Sequence, residues 1–246
     1  MKNIKRIMLV NLLLLALFVG VRILITRFPN REERTRRAEA TYTRETEAIP
    51  AEEQEADTCW AYFLINAEHP LSEDYAPSLM NVQGTFRMDE RCAPYAREMI
   101  AAAEADGVRL KVVSAYRSIE KQRENLEAYI LRLENEGNSP SQAEKLARFE
   151  IADPGTSEHN AGLALDILTE DWWDTHNDVT ADFENTEEYL WLSSHAHEYG
   201  FILRYPKGWE EVTGYAYEPW HYRFVGLERA EEIRNSGLPL EYYYIR

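Results

Sequence analysis

Positive charge and cysteine are what this sequence has least of. Its 246 residues include 27 Lys or Arg against 43 Asp or Glu, a formal net charge of −16. Nucleic-acid binding needs a basic face that displaces counterions from phosphates, so that class of partner is excluded. The only cysteines, Cys59 and Cys92, allow one disulfide at most. No internal repeat is present. Apolar material, by contrast, is plentiful. At 45% hydrophobic and 12% aromatic residues, the chain is too apolar to be disordered throughout.

The charge is unevenly spread. Residues 1–40 hold nine basic and three acidic side chains, a balance of +6, while the remainder holds eighteen and forty, a balance of −22. Such asymmetry marks a membrane or targeting segment joined to an acidic soluble body. Ile7 to Ile25 is an apolar run broken only by Asn11, Gly20 and Arg22, with Lys2, Lys5 and Arg6 before it. As a helix it would span about 28 Å, close to the thickness of a bilayer's hydrocarbon core. Residues 1–27 are therefore expected to be an uncleaved single-pass anchor, with a cleaved signal peptide as the rival. The nearest Ala-x-Ala, Ala38-Glu39-Ala40, lies far beyond the apolar run, which disfavours cleavage. Residues 28–57 are charged and carry no sustained apolar stripe, so they read as a tether with a root-mean-square span of about 30 Å. Residues 58–246 follow as one domain, expected outside the cytoplasm. In that compartment Cys59 and Cys92 are candidates for a disulfide contributing roughly 3–4 kcal/mol, with two separate buried thiols as the alternative.

Within the domain, apolar spacing predicts helices over Asp89–Asp106, Ser118–Glu136, Thr186–Tyr199 and Leu227–Ser236. Ser139-Pro140-Ser141-Gln142 has a cap, a first-turn proline and a capping-box glutamine, which announce a further helix. Strands are predicted over Val108–Tyr116, Gly162–Leu168 and Trp220–Val225. Strands separated by helices without a regular repeat suggest an α+β fold with a small antiparallel sheet.

Two segments carry chemistry: Ser157-Glu158-His159-Asn160-Ala161-Gly162-Leu163-Ala164-Leu165-Asp166 and Glu218-Pro219-Trp220-His221-Tyr222-Arg223. Small residues at Ala161, Gly162 and Ala164 leave space for something to approach the backbone. Asp166 sits between Leu165 and Ile167, where a carboxylate must be paired or bound to a metal because uncompensated burial is too costly. His159, Asp166 and His221 make a three-ligand zinc set with a fourth position open to water. Glu218 would face away from His221 on an unbroken strand. Pro219 interrupts the ladder, so Glu218 can sit in a turn beside the metal and act as general base.

These residues resemble the VanY-like D-alanyl-D-alanine carboxypeptidases, zinc peptidases of bacterial peptidoglycan that share the hedgehog-type fold. That family's pattern is Ser-x-His-x-x-Gly-x-Ala-x-Asp followed by Glu-x-Trp-His. Ser157, His159, Gly162, Ala164, Asp166, Glu218, Trp220 and His221 match it throughout. Ser114-Ala115-Tyr116-Arg117-Ser118 with Gln122, the stretch Gly200 to Pro206 and the opening His69-Pro70-Leu71 extend the likeness over roughly residues 58–240. The resemblance implies zinc on His159, Asp166 and His221, and Glu218 as the base. It further implies that Arg117 polarises the scissile carbonyl, with Ser157 and Gln122 contacting substrate. Tyr116, Trp220 and Tyr222 are candidates for lining the cleft, with the core as their competing location. The implied substrate is a peptidoglycan stem peptide ending in D-Ala-D-Ala, the cofactor is zinc, and the soluble domain is expected to be monomeric.

Several features point elsewhere. Ser118-Ile119-Glu120-Lys121 matches the Ser-x-x-Lys of serine enzymes but lacks their Lys-Thr-Gly partner. His197-Glu198 begins a zincin motif without its second histidine. Arg123 and Arg204 are expected in surface ion pairs. Two alternative functions stay open at this point: an L,D-carboxypeptidase or endopeptidase on the same fold, and a zinc-stabilised wall-binding module without turnover.

Overall fold

A computed structural model describes residues 59–176 and 178–244. The expected anchor (residues 1–27) and tether (residues 28–57) lie outside the described residues. Among the described residues, no helix is long and apolar enough to cross a membrane.

The described residues open with a short 3-10 turn at Cys59–Ala61 and a hairpin of β1 (Leu79–Gln83) and β2 (Phe86–Asp89). Helix α1 (Ala93–Ala105) follows, then strand β3 (Lys111–Ser114) and the helices α2 (Ile119–Asn135) and α3 (Pro140–Glu150). A 3-10 turn at Glu158–Ala161 leads into β4 (Ala164–Leu168). Helix α4 (Glu187–His195), strands β5 (Phe201–Leu203) and β6 (His221–Phe224), and helix α5 (Leu227–Ser236) complete the longer elements. Strands β3, β4, β6 and β5 form one antiparallel sheet in that order, so β4 and β6 are central. This is an α+β fold with small antiparallel sheets.

Over residues 164–167 and along His221–Phe224 the two central strands alternate between core and site positions, which is why one sheet can carry both. Leu165 and Ile167 of β4, and Tyr222 and Phe224 of β6, are fully buried in the main core. They pack there with Ala96, Met99 and Ala103 of α1 and with Trp191 of α4. The alternate positions face the other way, and the register pairs Asp166 with His221 and Ala164 with Arg223. Sheet pairing thus brings together two residues 55 positions apart in sequence. Tyr222 is at 0% exposure and belongs to the core rather than to the cleft.

Helices α2 and α3 form a hairpin with a small core of their own, built from Leu126, Leu133, Ala143 and Ala147. Its turns follow the local sequence. Ser118 Oγ accepts from the Lys121 backbone N–H at 3.1 Å, so the Ser-x-x-Lys match is a helix cap. At the start of α3, Gln142 Oε1 accepts from the Ser139 N–H at 3.2 Å, closing the capping box.

Two expectations need correction, and one element is additional. The segment beginning at Asp89 is not helical from its start: Asp89 ends β2, and α1 begins at Ala93. The β1–β2 hairpin itself was not anticipated. A Cys59–Cys92 disulfide is not present, because Cys92 is a free thiol. Its Sγ–H, fully buried, points at the carbonyl oxygens of Asp89 (3.3 Å) and Gly162 (3.6 Å). The side chain of Cys59 lies outside what the structure describes.

The hairpin explains the small residues before β4. The Asp89 N–H donates to the Gly162 carbonyl at 2.9 Å, so the backbone of β2 itself fills the space that glycine leaves. Gly162 has φ +71°, and a Cβ there would stand 2.8 Å from Asp89 N. We expect Gly162→Ala to destabilise the domain by about 2–4 kcal/mol, from a left-handed backbone plus a backbone clash. Denaturant unfolding tests this, and an unchanged midpoint would contradict it.

Candidate metal centre and cleft

Four segments meet at the site face of the sheet. Asp166 comes from β4 and His221 from the first position of β6. His159 comes from the 3-10 turn whose cap is Ser157, and Glu218 from the loop before β6. His159, Asp166 and His221 each offer a ligand atom, and these atoms all lie within 4.8 Å of one another. Asp166 Oδ2 is 3.2 Å from His159 Nε2, and Asp166 Oδ1 is 3.1 Å from His221 Nδ1. Donors at 2.0–2.2 Å from a tetrahedral zinc stand about 3.3–3.6 Å apart, so the set fits that ion.

The ring atoms facing away from the group are engaged. His159 Nδ1–H donates to the Ala115 carbonyl at 2.8 Å, which leaves Nε2 as the ligand atom. His221 Nε2 is 3.3 Å from Glu158 Oε2, which leaves Nδ1. The two imidazoles stand edge to face, with centroids 4.9 Å apart. Glu218 Oε2 lies 3.7 Å from His221 Nδ1. The turn that Pro219 permits is real: the His221 N–H donates to the Glu218 carbonyl at 3.2 Å.

The electrostatics call for a cation. Burial alone would lower the pKa of His221, yet hydrogen bonds to Asp166 and Glu158 and the charge of Glu218 push it up to about 10. Burial raises the Glu218 carboxyl to about 8; His221 opposes this, and the nearby Asp166 carboxylate adds to it. Burial also works against the ionised form of Asp166, but His159 and His221 hold its carboxyl well below the usual range. Asp166 and Glu218 beside the two imidazoles form a donor set suited to a cation.

Arg117 is carried into the cleft just beyond β3. Its backbone N–H donates to the His159 carbonyl at 3.0 Å, and its own carbonyl accepts from Asn160 Nδ2 at 2.7 Å. The backbones of the arginine and the metal segment are therefore locked together. The guanidinium donates to Gln122 Oε1 (2.9 Å) and Ser114 Oγ (2.8 Å). Burial lowers the pKa of His159 against the pull of Asp166, and the Arg117 charge adds to that lowering.

Arg117, Gln122, Ser157, Glu218 and Trp220 line one cavity of about 430 Å³ with the metal set. Tyr205 and Tyr215 line it too, and neither was singled out from sequence. Tyr205 packs on His221, with centroids 4.9 Å apart. Tyr116 is not among the residues that line this cavity; its backbone N–H donates to the Arg87 carbonyl of β2 at 2.8 Å. Gln122 is only 1% exposed, and its amide is used on both sides, accepting from Arg117 and donating to the Ala152 carbonyl at 2.7 Å.

The residue that sequence reasoning most clearly missed is Glu158. It is 1% exposed and bonded to Arg204 Nε (2.7 Å) and Arg223 Nη1 (2.8 Å). Arg204, expected on the surface, is likewise 1% exposed, because Glu158 and Glu241 supply its counter-charges inside the fold. Arg123 does lie in an exposed pair with Glu120. Arg223 offered the available signal: an arginine within a strand of otherwise buried residues requires a buried acid.

Two histidines and a carboxylate around an open metal position, with a buried glutamate beside them in a cleft, define a metal-dependent hydrolase of the zinc-peptidase class. A family model described as VanY, D-alanyl-D-alanine carboxypeptidase, matches residues 85–227. The chain belongs to this VanY family. It is 39% identical over 193 residues to a D-alanyl-D-alanine carboxypeptidase of Enterococcus faecalis, covering 78% of this chain and 69% of that one. Two solved VanY structures also match at 39% identity with TM-scores of 0.67. One is VanYB in complex with D-alanine-D-alanine, covering 75% of this chain and 97% of that one. The other, a mutant D,D-pentapeptidase from a VanB-type cassette in complex with Zn(II), covers 76% and 99%. The LdcB LD-carboxypeptidase is similar at 32% identity and a TM-score of 0.64, covering 74% and 84%.

The bonds of Gln122 generate a test. Gln122→Ala removes the donor to the Ala152 carbonyl and one of the two side-chain anchors of Arg117. The expected cost is about 1–3 kcal/mol in stability. Chemical denaturation measures it, and a variant as stable as the parent would contradict the packing described.

Proposed function

We propose that the chain is a zinc-dependent D-alanyl-D-alanine carboxypeptidase that removes the terminal D-Ala from peptidoglycan stem peptides. The observation that carries this reading is the His159–Asp166–His221 group with Glu218 beside it in the cleft. The 39% identity to enzymes of that activity supports it. His159 through Nε2, His221 through Nδ1 and Asp166 through its carboxylate would hold the metal. Zinc, when bound, supplies a Lewis acid that makes water a nucleophile near neutral pH and polarises a carbonyl.

The chain's own residues do the rest. Glu218 takes a proton from the attacking water and delivers it to the leaving amine of D-Ala. The Arg117 guanidinium donates to the scissile carbonyl oxygen as negative charge grows there. Gln122 and Ser114 hold that guanidinium in place. Ser157 Oγ accepts from the His159 N–H at 3.3 Å, leaving its own hydrogen for the substrate's terminal carboxylate. Trp220 forms part of the cleft wall against which the peptide lies. Cleavage in the L,D sense is the second reading, favoured by the likeness to LdcB. The division into anchor (1–27), tether (28–57) and catalytic domain (58–246), with a membrane-held extracytoplasmic location, belongs to the same proposal. It rests on the apolar run Ile7–Ile25.

Glu218→Ala should keep zinc and lose hydrolysis by about 10²–10⁴-fold, because only the proton carrier is removed. His159→Ala should lose zinc itself. Elemental analysis and peptide hydrolysis together decide. Near-normal turnover by the first variant, or stoichiometric zinc in the second, would refute these roles.

A further inference from the structure

We propose that Glu158 is a positioning residue for the metal centre: its carboxylate fixes the His221 ring so that Nδ1 faces the metal. This rests on the zinc-site reading above and adds a residue to it. Glu158 sits between Ser157 and His159, points away from the cleft and is 1% exposed. Oε2 is 3.3 Å from His221 Nε2, while Oε1 accepts from both Arg204 Nε and Arg223 Nη1. With one oxygen pinned by two guanidinium groups, the other has a fixed direction, and that direction is the His221 ring.

The arginines are themselves immobilised. Arg223 Nη2 donates to the carbonyls of Ala61 (2.9 Å) and Phe63 (3.0 Å), and Nε donates to Phe224 O at 2.9 Å. Arg204 Nη1 and Nη2 grip the Glu241 carboxylate at 3.1 and 2.7 Å. Glu158 and Glu241 balance the two cations, so the network is neutral and every guanidinium nitrogen is bonded. A carboxylate accepting from the far N–H of a ligating histidine fixes its tautomer and raises its basicity as a ligand. The brace reaches both ends of the domain, through the segment at Ala61 and Phe63 and through Glu241.

Nuclear magnetic resonance of the zinc-loaded full chain in detergent, labelled with nitrogen-15, reads the imidazole tautomers directly. We expect His221 to bind through Nδ1 and to carry a slowly exchanging proton on Nε2. His159 should bind through Nε2 and carry its proton on Nδ1. Glu158→Gln should weaken zinc about 10–100-fold in chelator competition. His221 bound through Nε2, a freely exchanging Nε2 proton, or unweakened zinc in the variant would overturn the role of Glu158. If Glu158→Gln does not fold, the tautomer in the unmodified protein decides alone. Failure of the unmodified protein to take up zinc would overturn the site assignment itself, and this proposal with it.

Discussion

A carboxylate taken out of water must find charge and hydrogen bonds where it lands, or it does not stay ionised. Glu158 finds Arg204, Arg223 and His221, which come from β5's end and from β6, far along the chain. Burial would raise its carboxyl, but the two arginines hold it well below the ordinary range. None of these groups is satisfied until the 3-10 turn at Glu158–Ala161, strands β5 and β6 and the helical turn at Glu241–Tyr244 have all arrived. Removing one member leaves an uncompensated buried charge, which typically costs about 3–5 kcal/mol. The metal residues share the same segments: His159 is next to Glu158, and His221 is two residues before Arg223 on the same face of β6. The charge network and the metal centre therefore assemble together.

The sheet register does the remaining work. Asp166 faces His221 across β4 and β6, so one pairing choice sets two donors at 3.1 Å. A slip of one residue would turn one of them into the core and bring Leu165 or Tyr222 to the cleft in its place. Ala164, opposite Arg223, is small enough to leave that guanidinium room. The same alternation that buries Leu165, Ile167, Tyr222 and Phe224 thus delivers the site.

Charge at long range and at short range have opposite signs here. The chain carries −16 overall, yet a substrate ending in a carboxylate must approach. Arg117 and a bound zinc would supply local positive charge, while salt screens exposed carboxylates beyond about 8–10 Å. Much of the sequence spelled this out. The grouping of His159, Asp166 and His221, with Glu218 beside it, was legible from two short motifs, each recognisable locally although sheet pairing joins them across 55 positions. The α5 boundaries at Leu227 and Ser236 and the Ser139 capping box were legible for the same reason. Glu158, the burial of Arg204 and the two uses of the Gln122 amide were not. Each depends at least in part on a partner 30 or more residues away, and a polar side chain carries no mark of such a partner. The β1–β2 hairpin escaped because its strands are short and half-exposed. Its contact with Gly162 accounts for a glycine whose neighbour sequence alone did not name.

The most direct measurement is mass spectrometry of defined tri-, tetra- and pentapeptide stem precursors after incubation with the protein, with and without a metal chelator. Conversion of the pentapeptide to the tetrapeptide, abolished by chelator and restored by zinc, is the expected result. A pentapeptide left intact while the tetrapeptide is shortened, or cleavage indifferent to the chelator, would contradict a zinc D,D-carboxypeptidase built on His159, Asp166 and His221.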